Sequence, residues 1–409
     1  MTARFTTIRH ERFTAVGKWA SIVALLFVFS IDAKYRLNVA GLLVHPYLLL
    51  FPLAVLFGKF SLTEVPKRVA IPLFLFFLFF CLGSLQNVNP VNEILKVAAA
   101  LFTFLFFAQS VRSEKDFRMI SWGFLVVAVV IGVMGFLVGE ETETGGRLGG
   151  INVLEGIGNK NAQSLFTLPG LFLSIHLVIH YLRAKRLFPL SVLGVSIFFI
   201  TIQIFLSANR SGWVGLFVIF ISYLVFYGVN LRTVFVSAVL VIFTYVAIDM
   251  YAADIFERKR VQTVEGYASD EGRQILMRES MLIGLENPVL GVGFDNLTRE
   301  LAKRLDINRY GMDRIDTHFL FGYIFGATGI FALFFFLLFL ARLVRRNLYV
   351  KDSPIVRKAW LLLICFVVLF VVRSLFTREI LYSPTFMGGM GLVFGYYLMV
   401  SRHVINQSR

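Results

Sequence analysis

Charge is scarce in this chain. Asp, Glu, Lys and Arg make up 16% of its 409 residues, while 57% are hydrophobic. A water-facing globule of this size needs a far more polar surface, so a soluble fold is excluded. Cysteine is nearly absent: Cys81 and Cys365 each lie inside an apolar segment, which leaves no basis for a disulfide scaffold or a thiolate metal site. The phosphate-cradling Gly-rich loop with its lysine, the His-Glu-x-x-His pair, the serine nucleophile elbow and the Asp-x-Asp metal site are all missing. Chemistry built on those devices is disfavoured, and arginines become the natural neutralisers of substrate charge. No metal and no cofactor is expected. The net charge of +15 does not point to nucleic acid, because the basic residues sit mostly in short connections between apolar runs.

What is abundant is apolar length. Runs near the ~20 residues that a bilayer requires recur along the chain, and they are continuous rather than alternating, so a β-barrel is not expected. Twelve candidate spans fall at about 18–32, 39–57, 69–86, 93–110, 117–139, 162–182, 188–206, 211–228, 232–250, 318–342, 358–376 and 384–401. The start, with Arg4, Arg9, Arg12 and Lys18 ahead of an apolar run, imitates a signal peptide but reads as an uncleaved first helix. Lys and Arg concentrate in alternate connections: Lys59, Lys67 and Arg68; Arg112, Lys115 and Arg118; Arg183, Lys185 and Arg186; and the group from Arg342 to Lys358. By the positive-inside rule both termini are cytoplasmic. The expected fold is thus an all-α polytopic membrane protein, one transmembrane domain over residues 1–409. A single large outward-facing loop, 250–317, is inserted between the ninth and tenth helices.

That loop is the one long polar interruption, with ten Lys/Arg between Asp249 and His318. Asp270 can cap a helix that Asn287-Pro288 stops near Glu286. Arg273 lies in its first turn; Arg278, about 140° further round, should not share its pocket. His318 ends the loop at the mouth of the tenth span. A helix N-terminus disfavours imidazolium, as a general base requires, whereas a bound pyrophosphate would push the other way. Arg210 lies in Ser207-Ala208-Asn209-Arg210-Ser211-Gly212, a connection so short that the guanidinium must lie near membrane depth. There it can snorkel or hold a phosphate. A second outer loop runs from Gly145-Gly146-Arg147 to Gly158-Asn159-Lys160-Asn161; its glycines, amides and cations suit sugars and phosphates, and suit a flexible connector equally well. His176 and His180, four apart in the sixth span, have metal-compatible spacing but read as interior histidines.

Together these phrases resemble the O-antigen ligase/polymerase family of membrane glycosyltransferases. The resemblance is carried by Ala208-Asn209-Arg210-Ser211-Gly212, by Gly272-Arg273 leading to Asn287-Pro288-Val289-Leu290-Gly291-Val292-Gly293, and by His318 followed by Ala327-Thr328-Gly329-Ile330. It covers roughly Gly145–Ile330. Two positions depart from the family pattern: Phe319 stands where Asn is usual, and Asn209 where Ser is common. The resemblance implies a GT-C-like membrane glycosyltransferase fold and an O-antigen ligase at the periplasmic face of a Gram-negative inner membrane. The donor would be an undecaprenyl-diphosphate-linked glycan and the acceptor lipid A–core oligosaccharide, in lipopolysaccharide biosynthesis. Arg210, Arg273 and His318 would be catalytic, with Arg147, Asn159, Lys160 and Asn161 helping to bind substrate. An O-antigen polymerase with the same donor is the nearest alternative. A polysaccharide transporter or flippase is the alternative from another class, and it would keep its charges near mid-membrane.

Overall fold

The computed structural model describes residues 65–87, 90–138, 160–206, 210–227, 270–305, 314–346 and 353–408, two short strands, and Trp19, Ile22, Val23 and Leu26. The helices are α1 (Lys67–Ser84), α2 (Pro90–Ser110), α3 (Glu114–Val138), α4 (Lys160–Arg183), α5 (Leu187–Leu206), α6 (Arg210–Tyr227), α7 (Asp270–Glu286), α8 (Phe294–Arg304), α9 (Leu320–Leu343), α10 (Pro354–Ser374) and α11 (Pro384–Ser408). α2, α10 and α11 begin at proline, whose missing N–H would be unpaired there in any residue. Seven of these helices are long and apolar enough to cross a membrane: α1 to α5, α9 and α10, with α6 as a shorter apolar helix. The chain is a polytopic helical membrane protein.

Nine of the twelve expected spans coincide with described helices. The ninth, 232–250, lies outside the described residues, as does most of the first. The second departs from expectation. Strands Leu37–Val39 and Leu42–Val44 pair antiparallel, with Leu37 opposite Val44, so no helix begins at residue 39.

The bundle is held by close pairings of α2 with α11, α1 with α9, and α3 with α4. In lipid there is no hydrophobic drive between helices, so intimate packing must supply the attraction. α11 shows how: a Cβ on Gly391 would lie 2.1 Å from the Phe104 carbonyl oxygen, and one on Gly395 2.3 Å from that of Ala108. The two glycines, four apart, let the α2 and α11 backbones touch. Phenylalanine fills the remaining space, as in the Phe76, Phe336 and Phe370 group between α1, α9 and α10.

α9 is not a regular helix. Gly329 interrupts it at φ 83°, ψ 179°, about 13 Å in from Leu320 at 1.5 Å per residue. A break at that depth strands backbone groups that the bilayer cannot satisfy. The segment after α7 satisfies them. The N–H of Val292 and Gly293 donate to the carbonyls of Gly326 and Ala327, each at 2.9 Å, and the Ile330 N–H donates to the Pro288 carbonyl at 2.7 Å. The approach leaves no room for side chains: a Cβ on Gly329 would lie 2.1 Å from the Val289 carbonyl oxygen, and one on Gly291 2.4 Å from the Ala327 carbonyl carbon. Gly291 and Gly293 also have positive φ.

The described part of the polar loop is therefore docked on the bundle. Asp270–Glu286 is helical, as the cap and stop signals predict. It packs on the first turns of α9, with Ser280 against Gly322 and Gly284 against the Phe325 ring. α8 buries Phe294, Leu297, Leu301 and Ala302. Its first turn is tied to the end of α1, where the Asn87 side-chain oxygen accepts from the Asp295 N–H at 3.0 Å.

Candidate functional site

Chemistry-bearing residues collect at one end of the bundle, where α1 and α10 finish and α2, α4, α6, α9 and α11 begin. At its centre is the turn Asp316-Thr317-His318-Phe319. His318 has φ 53°, a left-handed conformation that few non-glycine residues adopt and that histidine tolerates better than most. Such a backbone costs roughly 1–3 kcal/mol and persists only where its surroundings impose it. Here they do. The buried Thr317 hydroxyl donates to the Phe319 carbonyl at 3.1 Å and accepts from the Phe319 N–H at 3.0 Å. The Asp316 carboxylate accepts from the His318 N–H at 3.4 Å. The Phe319 carbonyl then receives the Tyr323 N–H at 2.9 Å and α9 is launched. The Phe319 side chain is buried against Phe321, so this departure from the family pattern contributes packing.

A second layer holds the turn from below. Arg378, in the 3-10 turn Arg378–Leu381 between α10 and α11, places Nε 2.7 Å from Asp316 Oδ2. Its guanidinium lies over the Tyr323 ring at 4.4 Å. The Tyr382 hydroxyl donates to that of Tyr323 at 2.6 Å, and the Tyr323 hydroxyl reaches the Glu93 carboxylate at 3.4 Å. Glu93 also pairs with Lys96 at 2.7 Å, and Lys96 stands over the Tyr382 ring. Burial works against the Arg378 charge, but Tyr323, Asp316, Tyr382 and Glu93 outweigh it and hold the group protonated beyond its ordinary range. Four chain segments thus meet in one polar network.

His318 is pulled below the usual histidine range, first by burial, then by the positive charges of Arg273 and Arg378; Asp316 opposes them. It is therefore neutral at neutral pH. Within the protein itself the dominant cause is desolvation rather than the helix terminus. Arg273 is half-buried near the start of α7 and close enough to His318 for its charge to be felt. Arg278 is exposed, in keeping with its different bearing on the helix.

Arg210 opens α6; its side chain lies outside the described residues. Five residues on, a Cβ on Gly215 would lie 3.5 Å from Arg373 Cδ, so Arg210 stands about 7.5 Å further along the axis toward the same end of the bundle. Lys160 and Asn161 open α4, likewise with undescribed side chains. One turn in, Ser164 Oγ accepts from the buried Arg373 guanidinium at 2.8 Å. Arg147 and Asn159 lie outside the described residues. His176 sits edge-on between Phe117 and Tyr396 toward the opposite end of the bundle, and His180 faces Glu114 at 3.8 Å, an acidic neighbour the sequence reading did not see. Among the described residues no group of three metal-ligating side chains occurs.

Sequence reasoning missed Glu93, Lys96, Tyr323, Arg373, Arg378 and Tyr382. A signal for some of them existed. By the expected topology the connection between the last two spans is an outer one and should be poor in cations, yet it is flanked by Arg373 and carries Arg378. Lys96 likewise sits inside an apolar span near its outer end.

A search of curated proteins returns no match to the chain. The family model described as O-antigen ligase matches residues 195–337, about a third of the chain. The match takes in Arg210, Arg273, the glycine phrase docked on α9, His318 and the break at Gly329. Residues 195–337 are thus similar to the O-antigen ligase family, and with its apolar helices the chain is a helical membrane protein.

Proposed function

We propose that this protein is an O-antigen ligase, a metal-independent inverting glycosyltransferase. It would transfer a glycan from undecaprenyl diphosphate to lipid A–core oligosaccharide at the periplasmic face of the inner membrane, with both termini cytoplasmic. The observation that carries the reading is the neutral, half-buried His318 within electrostatic range of Arg273, inside the segment that matches the family. An acceptor hydroxyl attacks the anomeric carbon while the bond from that carbon to the diphosphate oxygen breaks. His318 takes the hydroxyl proton, and undecaprenyl diphosphate leaves with the bonding electrons. Arg273 and Arg210 neutralise the charge that builds on the diphosphate, a preorganised electrostatic role. Arg147, Asn159, Lys160 and Asn161 supply further contacts to glycan or diphosphate from the neighbouring outer connection. A single displacement inverts the anomeric configuration. The polymerase alternative uses the same machinery with a second lipid-linked glycan as acceptor. The clustering of charge at one end of the bundle speaks against a mid-membrane transport path.

The test is transfer by purified protein in vesicles containing lipid-linked glycan and lipid A–core, with a chelator present. Glycan appearing on lipid A–core is the expected result. Extension of the lipid-linked chain alone assigns the protein as a polymerase, and no product with either acceptor overturns the glycosyltransferase reading. Activity should fall as pH drops through the depressed His318 value, because only the neutral imidazole accepts a proton.

A further inference from the structure

We propose that Asp316 and Arg378 are positioning residues for His318, their ion pair clamping the left-handed turn on which the imidazole stands. The inference rests on the glycosyltransferase reading, in which His318 is the base, and extends it to a segment of chain outside the family match. Three observations converge on the pair. The turn at His318 is a conformation that must be imposed. One Asp316 oxygen accepts from the His318 N–H while the other is held by Arg378 at 2.7 Å, so the carboxylate bridges the turn and the guanidinium. Arg378 is itself fixed, lying 4.4 Å over Tyr323, whose hydroxyl is tied to Tyr382 and Glu93. A charge-assisted contact of this length, anchored on both sides, is among the stronger ones available to side chains.

The arrangement also sets the electrostatics of the base. The charged groups acting on His318 are Asp316 from its own segment, Arg273 from α7 and Arg378 from the 3-10 turn. Glu93 and Lys96 from α2, with Tyr323 and Tyr382, act on it at one remove through Arg378. Within the pair the two charges act on the imidazole in opposite senses. Removing Asp316 leaves only cations near it; removing Arg378 leaves Asp316 opposed by Arg273 alone. A structural prop would lack that signature, since losing either half of a prop loosens the turn in the same way.

The experiment measures transfer against pH for full-length Asp316→Asn and Arg378→Gln in vesicles, beside His318→Ala. Both pair variants should lose about tenfold or more in kcat, in line with what a small misplacement of a catalytic group costs. The acid limb should move to lower pH in Asp316→Asn and to higher pH in Arg378→Gln. The double variant should lose no more than the worse single one, because the two act as a unit. Limbs that stay in place or move together, or losses that multiply in the double variant, overturn the proposal. If Arg378→Gln does not fold, Arg378→Lys keeps the charge without the fork: it should hold the limb and lose kcat, and an unchanged kcat overturns the positioning role. A retained rate in His318→Ala removes the base assignment instead. Titration of the His318 ring by NMR on histidine-labelled protein, assigned with His318→Gln, reads the same two opposed shifts without substrate. It therefore tests the pair even if the glycosyltransferase reading fails.

Discussion

Two regions of this molecule carry the phrases that resemble the O-antigen ligase family, and they are built on different physics. Around Gly329, the phrase from Asn287 to Gly293 and the phrase from Ala327 to Ile330 are two sides of one backbone joint. No charged side chain takes part; what matters is the absence of Cβ atoms and the pairing of N–H and C=O groups at membrane depth. Around His318, the backbone is bent by side chains, and the essential contacts are between charges and hydroxyls drawn from α2, α9 and the Arg378–Leu381 turn. The joint fixes where the α7–α8 arm stands, and with it Arg273. The turn fixes where His318 stands. A motif held in common within a family can therefore report assembly as readily as chemistry.

The comparison is broken most severely at the joint. Gly329→Val forces a β-branched residue into φ 83° with its Cβ 2.1 Å from the Val289 carbonyl oxygen. Strain of about 1–3 kcal/mol adds to the loss of backbone pairs that lipid cannot replace. The expected outcome is near-complete loss of monodisperse protein after detergent extraction, read by size-exclusion chromatography. Wild-type yield and melting temperature would show that the joint is dispensable.

His318→Ala comes next and should act in the opposite manner. General-base loss removes about 10²–10⁴ of the rate, while removal of one half-buried ring leaves the melting temperature within a few degrees. A protein that melts early would move His318 into the joint's category. Arg273→Gln is smaller and more specific. After burial, its charge is one of two that help keep the imidazole neutral, so its loss should raise the His318 value and move the acid limb of the transfer profile to higher pH, besides weakening the proposed hold on diphosphate. A limb at the wild-type position would mean that Arg273 does not sense the base.

How far these regions could be read beforehand follows from the same difference. The apolar runs of α1 to α6 and α9 to α11 are continuous enough that length alone marks them. The cap at Asp270 and the stop at Asn287-Pro288 delimit α7. His318 stood out as a histidine at the mouth of a span, whereas Arg273, one polar residue among several in a first turn, was picked out by the family resemblance alone. The joint was visible only as glycines; nothing in the spacing of Gly291, Gly293 and Gly329 says that they face one another, because the contact is made by backbone groups every residue possesses. Arg378 and Tyr323 escaped for another reason. Tyr323 sits in an apolar helix where an aromatic ring is ordinary, and its role comes from a hydroxyl that meets Glu93, 230 positions away. The strands Leu37–Val39 and Leu42–Val44 were missed because they fall at the start of an apolar run whose length alone reads as a span.

The smallest effect sharpens the comparison, because it concerns an arginine–carboxylate network with no catalytic neighbour. Arg304, at the end of α8, touches Glu279 and Glu286 of α7 and Glu300 one turn back, and those hydrogen bonds and charges hold its guanidinium protonated. The Arg304 and Glu279 side chains are partly shielded, whereas Glu286 and Glu300 are open to water. Contacts of this kind contribute about 0–1 kcal/mol and weaken with salt. Arg304→Gln should therefore lower the melting temperature slightly at low ionic strength and not at all in about 1 M salt, with the transfer rate and its pH profile unchanged. The Asp316–Arg378 pair should show the converse, a small change in melting and a large one in rate. If Arg304→Gln altered the pH profile as Arg378→Gln does, charge pairing at this end of the molecule would act at long range, and the assignment of Arg378 to His318 would lose its specificity.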